Sequence, residues 1–134
     1  MEMNSPVSFQ VEAPIPAKKN SRIVLRGGRN IPSEAYRKWH DSQIGMLESL
    51  RKRHGAFTCP VAVSVGVAFG DRRRRDLDNA LSSVLDLVKD SGLISDDDWG
   101  HVPRMTCEVL DTRAHYALVT VAPFRLPGAP KSVH

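Results

Sequence analysis

Four consecutive arginines, Arg72 to Arg75, run directly into Asp76-Leu77-Asp78-Asn79, and a second acidic run, Asp96-Asp97-Asp98, follows after one helical stretch and a glycine. Carboxylates drawn together repel one another, and a bound divalent cation relieves that repulsion. With oxygen donors and neither His nor Cys among them, the set favours magnesium, or manganese in its place, over zinc. A metal held by Asp76, Asp78, Asp97 and Asp96 would activate water, polarise a phosphoryl group and neutralise charge on the attacking and leaving oxygens. Arginines beside it would hold the flanking phosphates, since a cationic rim recruits a polyanion that an acidic centre alone repels. The chemistry indicated is metal-dependent phosphodiester hydrolysis.

Each of these residues also has a plainer reading. Asp78 can cap the helix that follows it, Asp96 to Asp98 can form a solvated turn, and four arginines can serve as a localisation signal or a nonspecific phosphate patch. An EF-hand fails at once, because Gly100 occupies a ligand position and Cys107 stands where the bidentate Glu belongs. His101, beside the acidic run, is an outside candidate for a ligand or proton carrier.

The positioning elements are legible from periodicity. Val7, Phe9, Val11 and Ala13 alternate with polar residues as in a half-buried strand that Pro14-Ile15-Pro16 ends, and Ile23-Val24-Leu25 before Gly27-Gly28 reads as a short strand entering a turn or hairpin. Ser33 can cap a helix carrying Tyr36, Trp39, Met46, Leu47 and Leu50 at helical spacing, with Gly55 ending it. Val61, Val63, Val65, Val67 and Phe69 alternate with Ala62, Ser64, Gly66 and Ala68, predicting a central strand. Its small residues would admit a helix or another chain on their side. Leu77, Leu81, Val84, Leu85 and Val88 predict an amphipathic helix over 78–91 that Gly92 closes. Met105 to Leu110 and Tyr116 to Val121 read as two strands joined as a hairpin. If Asp76 and Asp78 lie in extended backbone their carboxylates point the same way, whereas in a regular helix they diverge. The chain after Gly92 would fold back to bring Asp96 and Asp97 toward them.

The predicted fold class is α/β (α+β): one small domain over residues 1–122, with a mixed sheet of about four to five strands packed against two helices, followed by a Pro-rich, flexible tail over 123–134. A chain of 134 residues can bury one modest core. With 41% hydrophobic and 25% charged residues it matches soluble globular proteins, and it lacks a stretch able to span a bilayer or direct export, so a cytoplasmic location is expected. Nineteen Lys and Arg against 15 Asp and Glu give +4 and a pI of about 9.4, suited to a polyanionic partner. Cys59 and Cys107, far apart and without metal-site spacing, are expected as buried free thiols in strands.

Asp71-Arg72-Arg73-Arg74-Arg75-Asp76-Leu77-Asp78-Asn79, a helix, and then Gly92-Leu93-Ile94-Ser95-Asp96-Asp97 together resemble the RusA family of Holliday junction resolvases. The opening strand followed by Pro14 to Pro16 and Asn20 is similar too, and the likeness extends from about Val7 to Val121. The resemblance implies a homodimeric, magnesium-dependent endodeoxyribonuclease that cuts four-way DNA junctions by paired symmetric nicks in recombination and repair, in a family commonly encoded by phages and prophages. It implies Asp76, Asp78 and Asp97 as metal-binding catalytic carboxylates, with Asp96 as an adjacent acidic member. Arg72, Arg73, Arg74 and Arg75 would contact DNA, joined by Lys18 and Lys19 from the loop after the first strand.

Two departures bear on activity. The family usually has a lysine one helical turn after the second Asp of Asp-Leu-Asp-Asn, and this chain has Ser82 there. Lys89, roughly 10 Å further along the helix axis, or Lys18 or Lys19 would have to supply the charge. In addition, Asp98-Trp99-Gly100-His101 intervenes before the apolar Val102, which leaves Asp97 and Asp98 both open as the third ligand. The alternative functions are a catalytically weak junction-binding protein and a general single-strand or RNA-binding module.

Overall fold

The computed structural model of the chain describes residues 5–24, 30–68, 77–110 and 113–125. In chain order the elements are β1 (Val7–Glu12), β2 (Lys19–Val24), β3 (Asn30–Pro32), α1 (Glu34–His54), β4 (Val61–Ala68), α2 (Leu77–Asp90), β5 (Arg104–Val109) and β6 (Tyr116–Pro123). They form the mixed α+β domain expected, with a four-stranded sheet ordered β1-β6-β4-β5 and a separate two-stranded pair, β2-β3.

Alternation builds the core. Val7, Phe9 and Val11 of β1, Ala117, Val119 and Val121 of β6, and Val61, Val63, Val65 and Val67 of β4 are buried on one face, in register with one another. Against that face pack Tyr36, Trp39 and Leu47 of α1 and Val84, Leu85, Leu87 and Val88 of α2. The opposite face of β4 carries Ala62, Ser64 and Gly66, and beside it Thr120 bonds Ser8 across 2.9 Å. The small residues do admit a neighbour, and it comes from the same chain. A Cβ built on Gly66 would stand 2.8 Å from Leu110 Cδ1 and 2.9 Å from Cγ. Gly66→Ala is therefore expected to lower stability by about 1–3 kcal/mol in urea denaturation through overpacking. The added Leu110→Ala should recover part of that loss, and no recovery would mean that Leu110 is not the obstacle.

The expected hairpin between the last two strands does not form. β5 pairs in parallel with β4 at the sheet edge, and β6 crosses to the other side of β4, antiparallel to both β4 and β1. Burial decides the placement. β6 alternates three fully buried residues and needs neighbours on both sides, whereas β5 is largely exposed, with only Cys107 half-buried. β4-α2-β5 is thus a parallel crossover unit, which requires the intervening helix.

α1 follows the sequence signals closely. Ser33 Oγ accepts from Tyr36 N–H at 3.1 Å and donates to the Ala17 carbonyl at 2.9 Å, while Gly55, with φ of 91°, takes the end. Two expected core members differ: Met46 is exposed and Leu50 half-buried, while Gln43 is buried instead. Edge strand β1 gives the reason, because Glu12 N–H donates to Gln43 Oε1 (3.2 Å) and Trp39 Nε1 donates to the Glu12 carbonyl (2.8 Å). A buried amide here satisfies backbone groups that no further strand pairs among the described residues. The Ile23–Val24 stretch lies in β2, which pairs antiparallel with β3 as a turn or hairpin requires, while Leu25, Gly27 and Gly28 lie outside the described residues. Both cysteines are free and half-buried, with Cys59 in a bend before β4 rather than in a strand.

Candidate active site

α2 begins at Leu77, so Asp78 is the second residue of a regular helix rather than its cap or part of an extended segment. Leu77 and Leu81 pack against the core and Ala80 is buried, which turns Asp78, Asn79 and Ser82 outward. A carboxylate in the first turn also matches the positive end of the helix dipole. Asp78 stands beside the sheet edge: burial raises the Cys107 thiol pKa, and the carboxylates of Asp78 and Glu108 add to the shift. Asp76 and Arg72 to Arg75 lie outside the described residues, as do residues 126–134 of the expected tail.

Asp96 and Asp97 are exposed in the loop between α2 and β5, where Asp97 N–H donates to Asp96 Oδ1 at 2.7 Å. Asp98 has a different task. Its Oδ1 accepts from His101 N–H at 3.0 Å and pairs with His101 Nδ1 at 2.6 Å. The pairing holds the Asp98 carboxyl below its ordinary pKa and raises that of His101. His101 is thus accounted for as the partner that closes this turn.

The loop is tied at both sides: Phe57 N–H donates to the Leu93 carbonyl and Val61 N–H to the His101 carbonyl, at 2.8 and 2.9 Å. Asp78 belongs to the opening of α2 and this loop follows its other end, about 18 Å along the axis at 1.5 Å per residue. Among the described residues no group of three His, Cys, Asp or Glu side chains is close enough to hold an ion, so Asp78 is not gathered with both Asp96 and Asp97 there. The donors offered are nevertheless of one kind, exposed carboxylate oxygens, and they fit a hard cation in chemistry.

Lys18 is held tightly, at a place the sequence did not indicate. Its Nζ stands 2.6 Å from Asp86 Oδ2, which also accepts from Tyr36 Oη at 2.9 Å. Burial alone would raise the Asp86 pKa, but the bonds from Lys18 and Tyr36 outweigh it and keep the carboxyl below its ordinary range. The same burial and the bond to Asp86 push the Tyr36 phenol far up, so it remains a donor. Ser83 Oγ donates to the Pro16 carbonyl at 2.6 Å, and Ser33 N–H to the Lys18 carbonyl at 2.9 Å, fixing the strap that bears Lys18 to both helices. One turn on, His40 Nε2 meets Asp90 Oδ2 at 2.9 Å. Lys18, Tyr36, His40, Asp86 and Asp90 line a cleft of about 240 Å³ between α1 and α2. The signal for Asp86 was present in the sequence: an acid between Leu85 and Leu87, on the buried side of an amphipathic helix, requires a partner.

The sequence family described as endodeoxyribonuclease RusA matches residues 12–121, from the end of β1 to the middle of β6. The chain belongs to the RusA family. The match takes in Asp76 to Asn79, α2 and the whole acidic loop. A curated relative, the crossover junction endodeoxyribonuclease RusA of Aquifex aeolicus (strain VF5), is 25% identical over 126 residues, covering 94% of this chain and 98% of its own length. Against that family background Ser82 is exposed on α2, one turn beyond Asp78, and the strap lysine Lys18 is engaged by Asp86 a further turn along. Lys19 is the first residue of β2. Lys89 also contributes to holding Asp86 ionised. Among the described residues no helix is long and apolar enough to cross a membrane.

Proposed function

We propose that this RusA-family chain is a magnesium-dependent endonuclease, able to use manganese, that resolves four-way DNA junctions by paired symmetric nicks in recombination and repair. The observation carrying this reading is the family match through Asp76-Leu77-Asp78-Asn79, combined with the outward presentation of Asp78 from the first turn of α2. Asp76 and Asp78 would hold the metal, joined by Asp97, with Asp96 adjacent, on approach of the acidic loop, which is not gathered with Asp78 among the described residues. When bound, the ion supplies Lewis-acid stabilisation of phosphoryl charge and lowers the pKa of water. The chain's own groups would recruit and orient the DNA: Arg72 to Arg75 and Lys19 along its phosphates, with Lys18 joining them on release from Asp86, and the net charge of +4 favours the encounter. A homodimer fits a two-fold symmetric substrate that needs one cut in each of two strands. Residues 1–122 would form the nuclease domain, and at its end Pro123 is still paired with Val61 in β6 and Phe124 N–H bonds the Pro60 carbonyl. The cytoplasm, where chromosomal or phage DNA is met, is the expected compartment.

A second reading, a catalytically weak junction-binding protein, is favoured by two observations. The position one turn after Asp78 is the uncharged Ser82, and Lys18 is committed to Asp86. Incubation with a labelled four-way junction or a linear duplex, in magnesium or in chelator, separates the two. Paired nicks in the junction alone, abolished by chelator, are expected. Tight junction binding with no nicks in magnesium would establish the weak binder instead, and equal affinity for linear duplex would count against both.

A further inference from the structure

Trp99 is the most exposed large apolar side chain among the described residues, at 82% of its full accessible surface, whereas the other tryptophan, Trp39, is 6% exposed in the core. It lies two residues after Asp97 and inside the acidic loop. The turn beneath it is well fastened. His101 N–H and Val102 N–H both bond the Asp98 carbonyl, at 3.1 and 2.8 Å, and the Asp98 side chain closes on His101. Ile94 before the turn and Val102 after it are buried, and His101 is joined to the start of β4 through the Val61 N–H bond. A large ring is therefore projected into solvent from an anchored base.

The surroundings select its partner. Asp96, Asp97 and Asp98 are exposed on the same loop and repel a phosphate that approaches without a cation. The indole offers an apolar, polarisable face with a single donor at its edge. Within DNA, the surface that suits such a group is the face of a base. A continuous duplex hides base faces in its stack, while the branch point of a four-way junction interrupts stacking and leaves faces open.

We infer that Trp99 stacks on a base at the branch point of the junction and so helps the protein distinguish a junction from a linear duplex. This rests on the junction-cutting reading given above. The turn sets where the ring is presented: Asp98 and His101 hold the backbone that carries it, and Asp97 lies two residues away on the same loop. Trp99 is in this view a binding and positioning residue.

Affinities for a fluorescent four-way junction and for a linear duplex, measured in chelator with the full chain, provide the test. Trp99→Ala should weaken junction binding by roughly 10- to 100-fold, the loss of one base–aromatic stack, with less than about a twofold change on duplex. Trp99→Phe should restore most of the affinity, because a phenyl ring still stacks. In a Trp39→Phe background, Trp99 emission should be quenched by the junction and much less by duplex. Unchanged junction affinity in Trp99→Ala together with unquenched emission would overturn the inference. So would a shift of Trp99→Ala to a smaller species in gel filtration, which would assign the ring to a contact between copies. Failure of the underlying reading is a different outcome: there the unaltered protein itself neither prefers nor cuts the junction in magnesium.

Discussion

Asp78→Asn is expected to reduce junction cleavage about 1000-fold or more while junction binding in chelator stays within about threefold of the unaltered protein. The asymmetry follows from what the substitution removes. Asn keeps the size and much of the hydrogen-bonding capacity of Asp, but it lacks the charge that binds a hard cation. A metal contributes several kcal/mol to stabilising charge in phosphoryl transfer, and about 4 kcal/mol corresponds to the stated factor. The fold should hardly notice. Asp78 is exposed in the first turn of α2, where its favourable interaction with the helix dipole is worth about 0.3–1 kcal/mol, so a fall in Tm of only a few degrees is expected. Single-turnover cleavage with saturating magnesium, alongside thermal unfolding, distinguishes the possibilities. Nicking that survives within tenfold would remove Asp78 from the metal site, and a large loss of stability would give it a structural task instead.

The sequence carries the elements of this fold more readily than their arrangement, for a physical reason. β4 is legible because Val61, Val63, Val65 and Val67 all face one core, and α2 because its apolar residues recur at helical spacing; both signals are local. The place of β6 is not local. Its pairing joins Val121 to Val7 and to Val63, partners that no short window brings together, and the nearby β5 makes a hairpin look equally natural. The buried polar groups follow the same rule. Gln43 is buried because the edge of β1 needs a partner for Glu12, and Asp86 because Lys18 and Tyr36 reach it from the strap and from α1. For the site, the residue types and the elements that bear Asp78, Asp96 and Asp97 could be read from the chain. The closed turn that commits Asp98 to His101 became visible only in three dimensions, and with it the difference between Asp98 and the exposed Asp96 and Asp97.

Leu87→Ala should be the most damaging single substitution on α2 for stability, while sparing the chemistry. Leu87 is 0% exposed, within the cluster that joins α2 to the sheet. Nine residues separate it from Asp78, which at 100° per residue sets the two on opposite sides of the helix. Truncation removes the transfer free energy of the side chain and leaves a cavity that the surrounding strands can only partly fill, at a cost of about 3 kcal/mol. For a domain of this size that corresponds to a fall in Tm of about 10 °C. Cleavage measured well below the new midpoint should remain within a few-fold of the unaltered protein, because the core face and the carboxylate face of α2 are carried by different residues. Thermal unfolding and cleavage at low temperature read the two effects separately. A loss of cleavage as deep as that of Asp78→Asn in a protein still fully folded would mean that α2 cannot shift even slightly without displacing Asp78, so that packing behind the helix sets the geometry in front of it.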